Sequence, residues 1–465
     1  MPYTHPWLQT LPLFLSLCLP SAFSHAQDLS DIYQRALNND HRFQAAKAQY
    51  KAGLEAKKIS RAGLLPTINA QGQWQDSETT SNSTNSLGDQ GFNAVDSESE
   101  SRGYTLSFNQ PLFNLNAWNS FKAGAAQADA ATATYHSAQN DLIIRSAEAY
   151  FNTLLAAANL QTSRAEENAL NFQLQQSQQR YDVGLNAITE VHEAQAGYDS
   201  ATAERLIAEG QLAIQFESLE VLTGKQYRSI ASLKKDFPVS FPAPQKREQW
   251  VERALSSNPE LQRAKTSAKA ADYQARAAKS AHLPVIEFSG QYSSSSAEET
   301  SFRNPDGGTL EQDQESISIT ATLPLFRGGS ISASRRQAKQ QAVVERETYL
   351  QARRDITQQT RSEYLNVITG VATVNARKQT IISRQSALEA TEAGYEVGTR
   401  DFVDVLNAQR GLYQAKRSYD SALYNYILSS LRLKAVSGML NDNDIEELNA
   451  WLALSDTVNV ELITE

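Results

Sequence analysis

The sequence predicts a mainly helical chain that carries part of a membrane β-barrel, and three observations lead there. One structural plan occurs twice along the chain, four segments alternate polar and apolar residues, and two helical patterns run far past the usual globular length.

The chain opens with a segment, 1–26, that contains no Asp, Glu, Lys or Arg and is mostly apolar over 8–19. It ends Ser24-His25-Ala26, small residues that suit signal-peptide cleavage before Gln27, although the usual Lys or Arg near the start is missing. Cys18, the single cysteine, lies in this segment and follows Leu17, where a lipoprotein signal wants a small residue. Export therefore leaves a cysteine-free chain without lipid, disulfides, thiol nucleophiles or Cys-bound metal.

The remainder is duplicated. Ala36-Leu37, Leu65-Pro66, Pro111-Leu112-Phe113, Tyr150-Phe151-Asn152, Tyr181-Asp182-Val183-Gly184 and Leu222-Thr223-Gly224 return in order. Their counterparts are Ala254-Leu255, Leu283-Pro284, Pro324-Leu325-Phe326, Tyr364-Leu365-Asn366, Tyr395-Glu396-Val397-Gly398 and Val436-Ser437-Gly438, about 215 residues later. The expected units are a first repeat over 27–225, a linker over 226–247, a second repeat over 248–438 and a C-terminal segment over 439–465. Each repeat reads helix, strand, polar loop, strand, long helix, turn, helix.

The strands are expected near 67–76, 103–112, 284–294 and 315–326. Ile68, Ala70, Gly72 and Trp74 alternate with Asn69, Gln71 and Gln73, and Tyr104, Leu106 and Phe108 alternate with Thr105 and Ser107. In the second copy, Ile286, Phe288, Gly290 and Tyr292 face away from Glu287, Ser289 and Gln291, and Ile317, Ile319 and Ala321 away from Ser318 and Thr320. A soluble sheet also alternates, but four such segments with nearly uncharged polar faces match a water-filled lumen behind a lipid-facing wall. Polar stretches at 79–100 and 295–314 read as hairpin loops. No stretch after residue 26 reaches the roughly 18 apolar residues of a membrane helix, so any crossing is made by strands. Four strands cannot close, and open edges are not tolerated in lipid. The chain must oligomerise, with two copies giving a filled barrel of about eight strands and three a channel of about twelve.

The helical patterns over 115–181 and 330–395 lack proline and extend roughly 100 Å each at 1.5 Å per residue. Shorter helices are expected over 29–63 and 187–224, and over 248–281 and 402–436. Val405, Ala408, Leu412, Ala415, Tyr419, Ala422 and Tyr426 step by threes and fours, the stripe of a coiled coil. A helical bundle would carry the same stripe; joined to barrel strands, rods of this length form a conduit across a compartment.

A formal charge of −9 argues against nucleic acid as a partner. No nucleotide-binding glycine loop, His-x-x-x-His pair or serine elbow occurs, so neither enzyme nor cofactor is expected. His41, His136, His192 and His282 are scattered; His192 beside Glu190 and Glu193 hints at a metal, but a solvated helix face accounts for it. A structural coiled-coil protein of the envelope explains the helices but not the strands, and a passive porin does not need the rods.

Each long helix ends in a paired turn, Tyr181-Asp182-Val183-Gly184-Leu185-Asn186 and Tyr395-Glu396-Val397-Gly398-Thr399-Arg400-Asp401. Glycine supplies the left-handed reversal, and Asn186 and Asp401 are candidate caps for the helices that follow. With these turns, the Leu-Pro and Pro-Leu-Phe landmarks and Tyr424-Asn425-Tyr426, the chain resembles the TolC family of outer-membrane efflux proteins over nearly its whole length after the leader. The resemblance implies a homotrimer with a twelve-stranded barrel in the outer membrane of a Gram-negative bacterium. A coiled-coil tunnel would then cross the periplasm, with a mixed collar from 226–247 and 439–465. It further implies an exit duct for tripartite efflux or type I secretion, fed by an inner-membrane RND or ABC transporter. A periplasmic adaptor would grip the turns at Gly184, Leu185, Gly398 and Thr399.

The family's closed end maps onto Tyr395 and Arg400 meeting Thr189 and Glu190. Its constriction maps onto Asp404 and the position one helical turn on, acidic in the family and Asn407 here. One strong acidic ring is expected instead of two, with Asp401 either a partial substitute or simply a cap. Carboxylates drawn to about 6 Å repel by about 3 kcal/mol per pair at an effective dielectric of 20, so closure needs opposing bonds.

Overall fold

The computed structural model describes residues 27–83, 93–185, 187–301 and 304–459. The leader 1–26 with Cys18 and the cap candidate Asn186 lie outside the described residues. The first copy runs α1 (Leu29–Asn39), α2 (His41–Ala62), β1 (Thr67–Ser83), β2 (Asn93–Phe113), α3 (Leu115–Asp182) and α4 (Ile188–Thr223). After β3 (Ser229–Leu233), the second runs α5 (Arg247–Ser257), α6 (Pro259–Ser280), β4 (Val285–Ser301), β5 (Asn304–Thr322), α7 (Ser330–Glu396) and α8 (Phe402–Val436). The chain closes with α9 (Asp442–Asn449) and β6 (Leu452–Asn459).

The helices expected over 29–63 and 248–281 are each two helices. Asp40 separates α1 from α2 because its carboxylate accepts from Phe43 N at 2.6 Å, an N-cap that starts a new helix. Asn258 does the same for α6, accepting from Leu261 N at 2.9 Å, with Pro259 in the first turn where its missing N–H costs nothing. The two breaks occupy equivalent places in the repeats.

The strands form one antiparallel sheet in the order β1-β2-β4-β5. Register puts Ile68 opposite Phe108, Leu106 opposite Tyr292, and Phe288 opposite Ile319, all on one face. Ile68, Trp74, Ile317 and Ile319 are about two-thirds or more exposed there, an apolar wall uncovered by the chain itself. The other face pairs Asn69 with Ser107, Gln71 with Thr105 and Ser289 with Ser318, the last two hydroxyls 2.8 Å apart. The strands also run far into the stretches expected as loops, with 17 residues in β1 and 21 in β2. Crossing a bilayer takes roughly 9–11 tilted residues. Beyond Trp74, Tyr104 and Tyr292 the apolar face becomes charged, with Asp76, Glu78, Glu100, Arg102, Asp313 and Glu315 in continuous register. Both faces are polar in that region, which removes the alternation that marks a strand in sequence while leaving backbone pairing intact.

The helices lie side by side in open rows. Towards the sheet, α3 packs between α2 and α6, and α6 meets α7; away from it, α3 packs against α4 and α8, and α8 against α7. The main apolar core sits where these rows change over, around Tyr150, Phe151, Leu142, Leu219, Ile427 and Leu433. There β3 pairs with β6, and the Tyr150 hydroxyl donates to the Ala231 carbonyl at 2.6 Å. Tyr364, the repeat counterpart of Tyr150, donates to the Gln245 carbonyl. The duplicated tyrosines thus anchor the linker to the long helices.

Candidate functional site

Both long helices end in the same way. Gly184 and Gly398 adopt φ of 76° and 77°, and Leu185 N donates to Arg180 O, and Thr399 N to Gly394 O, each at 2.8 Å. These are Schellman closures, which satisfy the last carbonyls of a helix and require the left-handed residue. A Cβ on either glycine would meet open space, so the backbone angle alone selects glycine. The reversal leaves Val183, Leu185 and Val397 70% or more exposed at the tip.

The sequence-predicted gate residues gather here. The Tyr395 hydroxyl at the end of α7 donates to Glu190 Oε2 in the first turn of α4 at 3.1 Å, so the expected link between the two turns exists within one chain. Arg400 does not reach Thr189 or Glu190 in the same chain. Its Nη1 lies 3.4 Å from Asp404 Oδ2, one turn along α8. Thr189 stands exposed at the start of α4. Asp401 is the N-cap of α8, accepting from Asp404 N at 2.8 Å, which fixes its carboxylate on the helix start. Asp404 and Asn407 follow three residues apart on one side of α8, Asp404 half-buried and Asn407 exposed. Ala187, without a side-chain cap, precedes α4.

Four contacts escaped the sequence reading. Arg180 in the last turn of α3 holds its guanidinium carbon 5.1 Å from the centre of the Tyr395 ring. Phe402, the first residue of α8, packs its ring 5.8 Å from the same tyrosine. Farther up, α8 is tied to α3 by Arg417 on the buried Glu166 at 2.9 Å and by the Tyr413 hydroxyl on the Ala165 carbonyl at 3.1 Å. Burial, with Glu166 close by, pushes the Tyr413 hydroxyl pKa up. The contacts of Arg180, Arg417 and Tyr413 have no spacing signature, because each joins residues more than two hundred positions apart, and Phe402 meets Tyr395 only because the turn folds α8 back on α7. Among the described residues no cluster of His, Cys, Asp and Glu could hold a metal ion.

Two open helical rows, an apolar-walled sheet and a linked pair of turns are the parts of a duct. The profile of the outer membrane efflux protein family matches residues 32–225 and 250–439, one span in each repeat. The chain belongs to this family. It is 34% identical over 447 residues to the outer membrane protein TolC of Vibrio cholerae serotype O1, covering 96% of this chain and 99% of that one. It is 29% identical to the alkaline protease secretion protein AprF of Pseudomonas aeruginosa, covering 96% and 91%. The solved CusC channel superposes with a TM-score of 0.74 at 18% identity, over 94% of this chain and 99% of that one, which shows the fold. This efflux protein is therefore a channel of the Gram-negative outer membrane and not an enzyme, an exit duct of the efflux and type I secretion kind. Channels of the TolC family work with adaptor and inner-membrane pump partners in tripartite systems.

Proposed function

We propose that three copies of the chain form one tunnel, closed at the far end of the helices by a gate at the turns and opened when partner proteins pull those turns apart. The observation that carries this reading is that sheet and helices are open at both sides. The sheet ends on β1 and β5, and the helical rows end on α2 and α4 at one side and α7 at the other. Unpaired strand edges are not tolerated in lipid, and three copies bring about twelve strands, enough to leave a lumen. The apolar wall would face lipid and the Ser, Thr, Asn and Gln face the lumen. The 68-residue α3 and 67-residue α7 would reach roughly 100 Å into the periplasm once the leader is removed.

In this reading the Tyr395–Glu190 bond holds the inner turn to the outer one, and Arg400 is placed to link to Thr189 or Glu190 of the next copy. Three Asp404 carboxylates form the narrowest ring, with neutral Asn407 behind them. Asp401 caps α8 and adds little to the ring. The exposed apolar residues at Gly184-Leu185 and beside Gly398-Thr399 offer the adaptor its grip, and energy comes from an RND or ABC pump. No nucleic acid takes part.

Light scattering and negative-stain microscopy of the detergent-extracted protein test the assembly. A three-chain particle about 130–140 Å long is expected, from helix rise plus tilted strands. A compact single-chain particle would overturn the tunnel.

A further inference from the structure

We propose that Arg180 is the positioning residue of the gate: it holds the Tyr395 ring from α3 so that the hydroxyl stays on Glu190. The proposal rests on the reading of Tyr395–Glu190 as a gate link and adds a residue to it.

The geometry joins four helices in one contact. Arg180 comes from the end of α3, Glu190 from the start of α4, Tyr395 from the end of α7 and Phe402 from the start of α8. Tyr395 is the hub, with the guanidinium carbon 5.1 Å from its ring centre, the Phe402 ring at 5.8 Å and Glu190 Oε2 3.1 Å from its hydroxyl. Arg180 Nε is buried and has no hydrogen-bond partner in the chain. Buried guanidinium N–H groups usually find an acceptor. Here that hydrogen bond is forgone while the cation sits by an aromatic ring, which attracts it through the ring quadrupole. The other guanidinium–ring pair among the described residues, Arg276 with Tyr273, lies within one helix. Arg180 with Tyr395 joins α3 of the first repeat to α7 of the second.

The repeat supplies a second, independent mark. The residue matching Arg180 in the second copy is Gly394, just before Tyr395. A Cβ there would meet Arg400 Cγ at 2.8 Å, so the small residue leaves room for the Arg400 side chain. Two equivalent positions have thus diverged in opposite directions, one to an arginine that reaches across to Tyr395 and one to a glycine that clears space beside it. Tyr395 lies one residue before the end of α7 and packs against the two small apolar clusters near the turns. The guanidinium restrains it and, as a cation near the ring, makes the phenol a stronger donor to the carboxylate.

The test is a mutant cycle on the full-length channel in planar bilayers. Arg180→Gln is expected to raise the leak of the closed channel about 10- to 150-fold, the range set by losing three partly exposed cation–π contacts together, one per chain. Arg180→Lys, which keeps the charge but not the plane, should give a smaller rise. In a Tyr395→Leu background Arg180→Gln should add nothing, and trimer assembly should be unchanged throughout. The proposal is overturned if Arg180→Gln leaves the leak at the parent level while Tyr395→Leu raises it, or if the two changes multiply. A Tyr395→Leu channel as tight as the parent overturns the gate reading itself. If Arg180→Gln does not assemble, Arg180→Lys in the same cycle decides between these outcomes.

Discussion

Replacing Tyr395 by Phe removes one hydroxyl and leaves the ring between Arg180 and Phe402, so it isolates the bond to Glu190 from the packing around it. A hydrogen bond to a charged acceptor contributes about 1.5–3 kcal/mol when buried. Tyr395 and Glu190 are both only partly buried, so about 1 kcal/mol per chain is a fair discount. Three copies opening together give about 3 kcal/mol, or roughly a hundredfold shift in the closed-to-open ratio. Single-channel recording in planar bilayers reads this directly as more frequent and longer openings, with unchanged conductance of the fully open state. Glu190→Gln, which keeps an acceptor oxygen but loses the charge, should shift the ratio less. A Tyr395→Phe channel that opens no more often than the parent, with trimers intact, would refute the assignment of this bond to the gate.

Further outcomes follow from the same geometry. Asp404→Asn should weaken block by large or divalent cations about tenfold, and Asn407→Asp should strengthen it, read as current in the presence of the blocker. Burial pushes the Asp420 carboxyl up from 3.8 to about 6, with Lys416 opposing. Its folded pKa lies above the unfolded one, so ionisation costs stability that is intact below about pH 4 and lost as pH rises through 6. Asp420→Asn should therefore raise stability at pH 8 by up to about 2–3 kcal/mol per chain, seen as a higher melting temperature, and leave it unchanged at pH 4. Tyr150→Phe strips the buried Ala231 carbonyl of its donor and should cost about 1–3 kcal/mol in denaturant melts without changing the gate.

What could be read from the sequence was whatever the chain states locally. The duplication, the two long rods and the four membrane strands each leave a periodic trace, and so the fold class was legible. Gly184 and Gly398 were legible because a left-handed angle narrows the choice to one residue type. The breaks at Asp40 and Asn258 were also written in the chain, as a capping residue and, in the second, Asn258-Pro259, but the unbroken apolar pattern on either side outweighed them. The outer halves of the strands left no trace, since polar residues on both faces erase a period of two. Arg180 and Arg417 were invisible for another reason: their partners lie more than two hundred residues away, and only the packing of α3 against α8, with the end of α7 beside it, brings them together.

In the proposed gate, the distribution of packing favours movement at this end of the molecule over movement around the linker. Around the collar a single continuous core buries Tyr150, Phe151, Leu219, Ile427 and Leu433, with tyrosine hydroxyls tying the linker down. Near the turns the core shrinks to two small groups, Leu170, Ala194, Ala201, Phe402 and Leu406 in one and Leu388, Val405 and Leu412 in the other. The helices there also bury Gln173, Ser177 and Arg180 on α3, Thr202 on α4 and Gln409 on α8, each with a polar atom that has no partner in the chain. Little apolar area and incompletely matched polar groups place a segment at the low end of local stability. Separating α7 and α8 from α3 and α4 therefore exposes little that water does not solvate equally well. In that proposal closure depends on a few directional contacts at the very tip, where a partner gripping the exposed turns would have the greatest leverage.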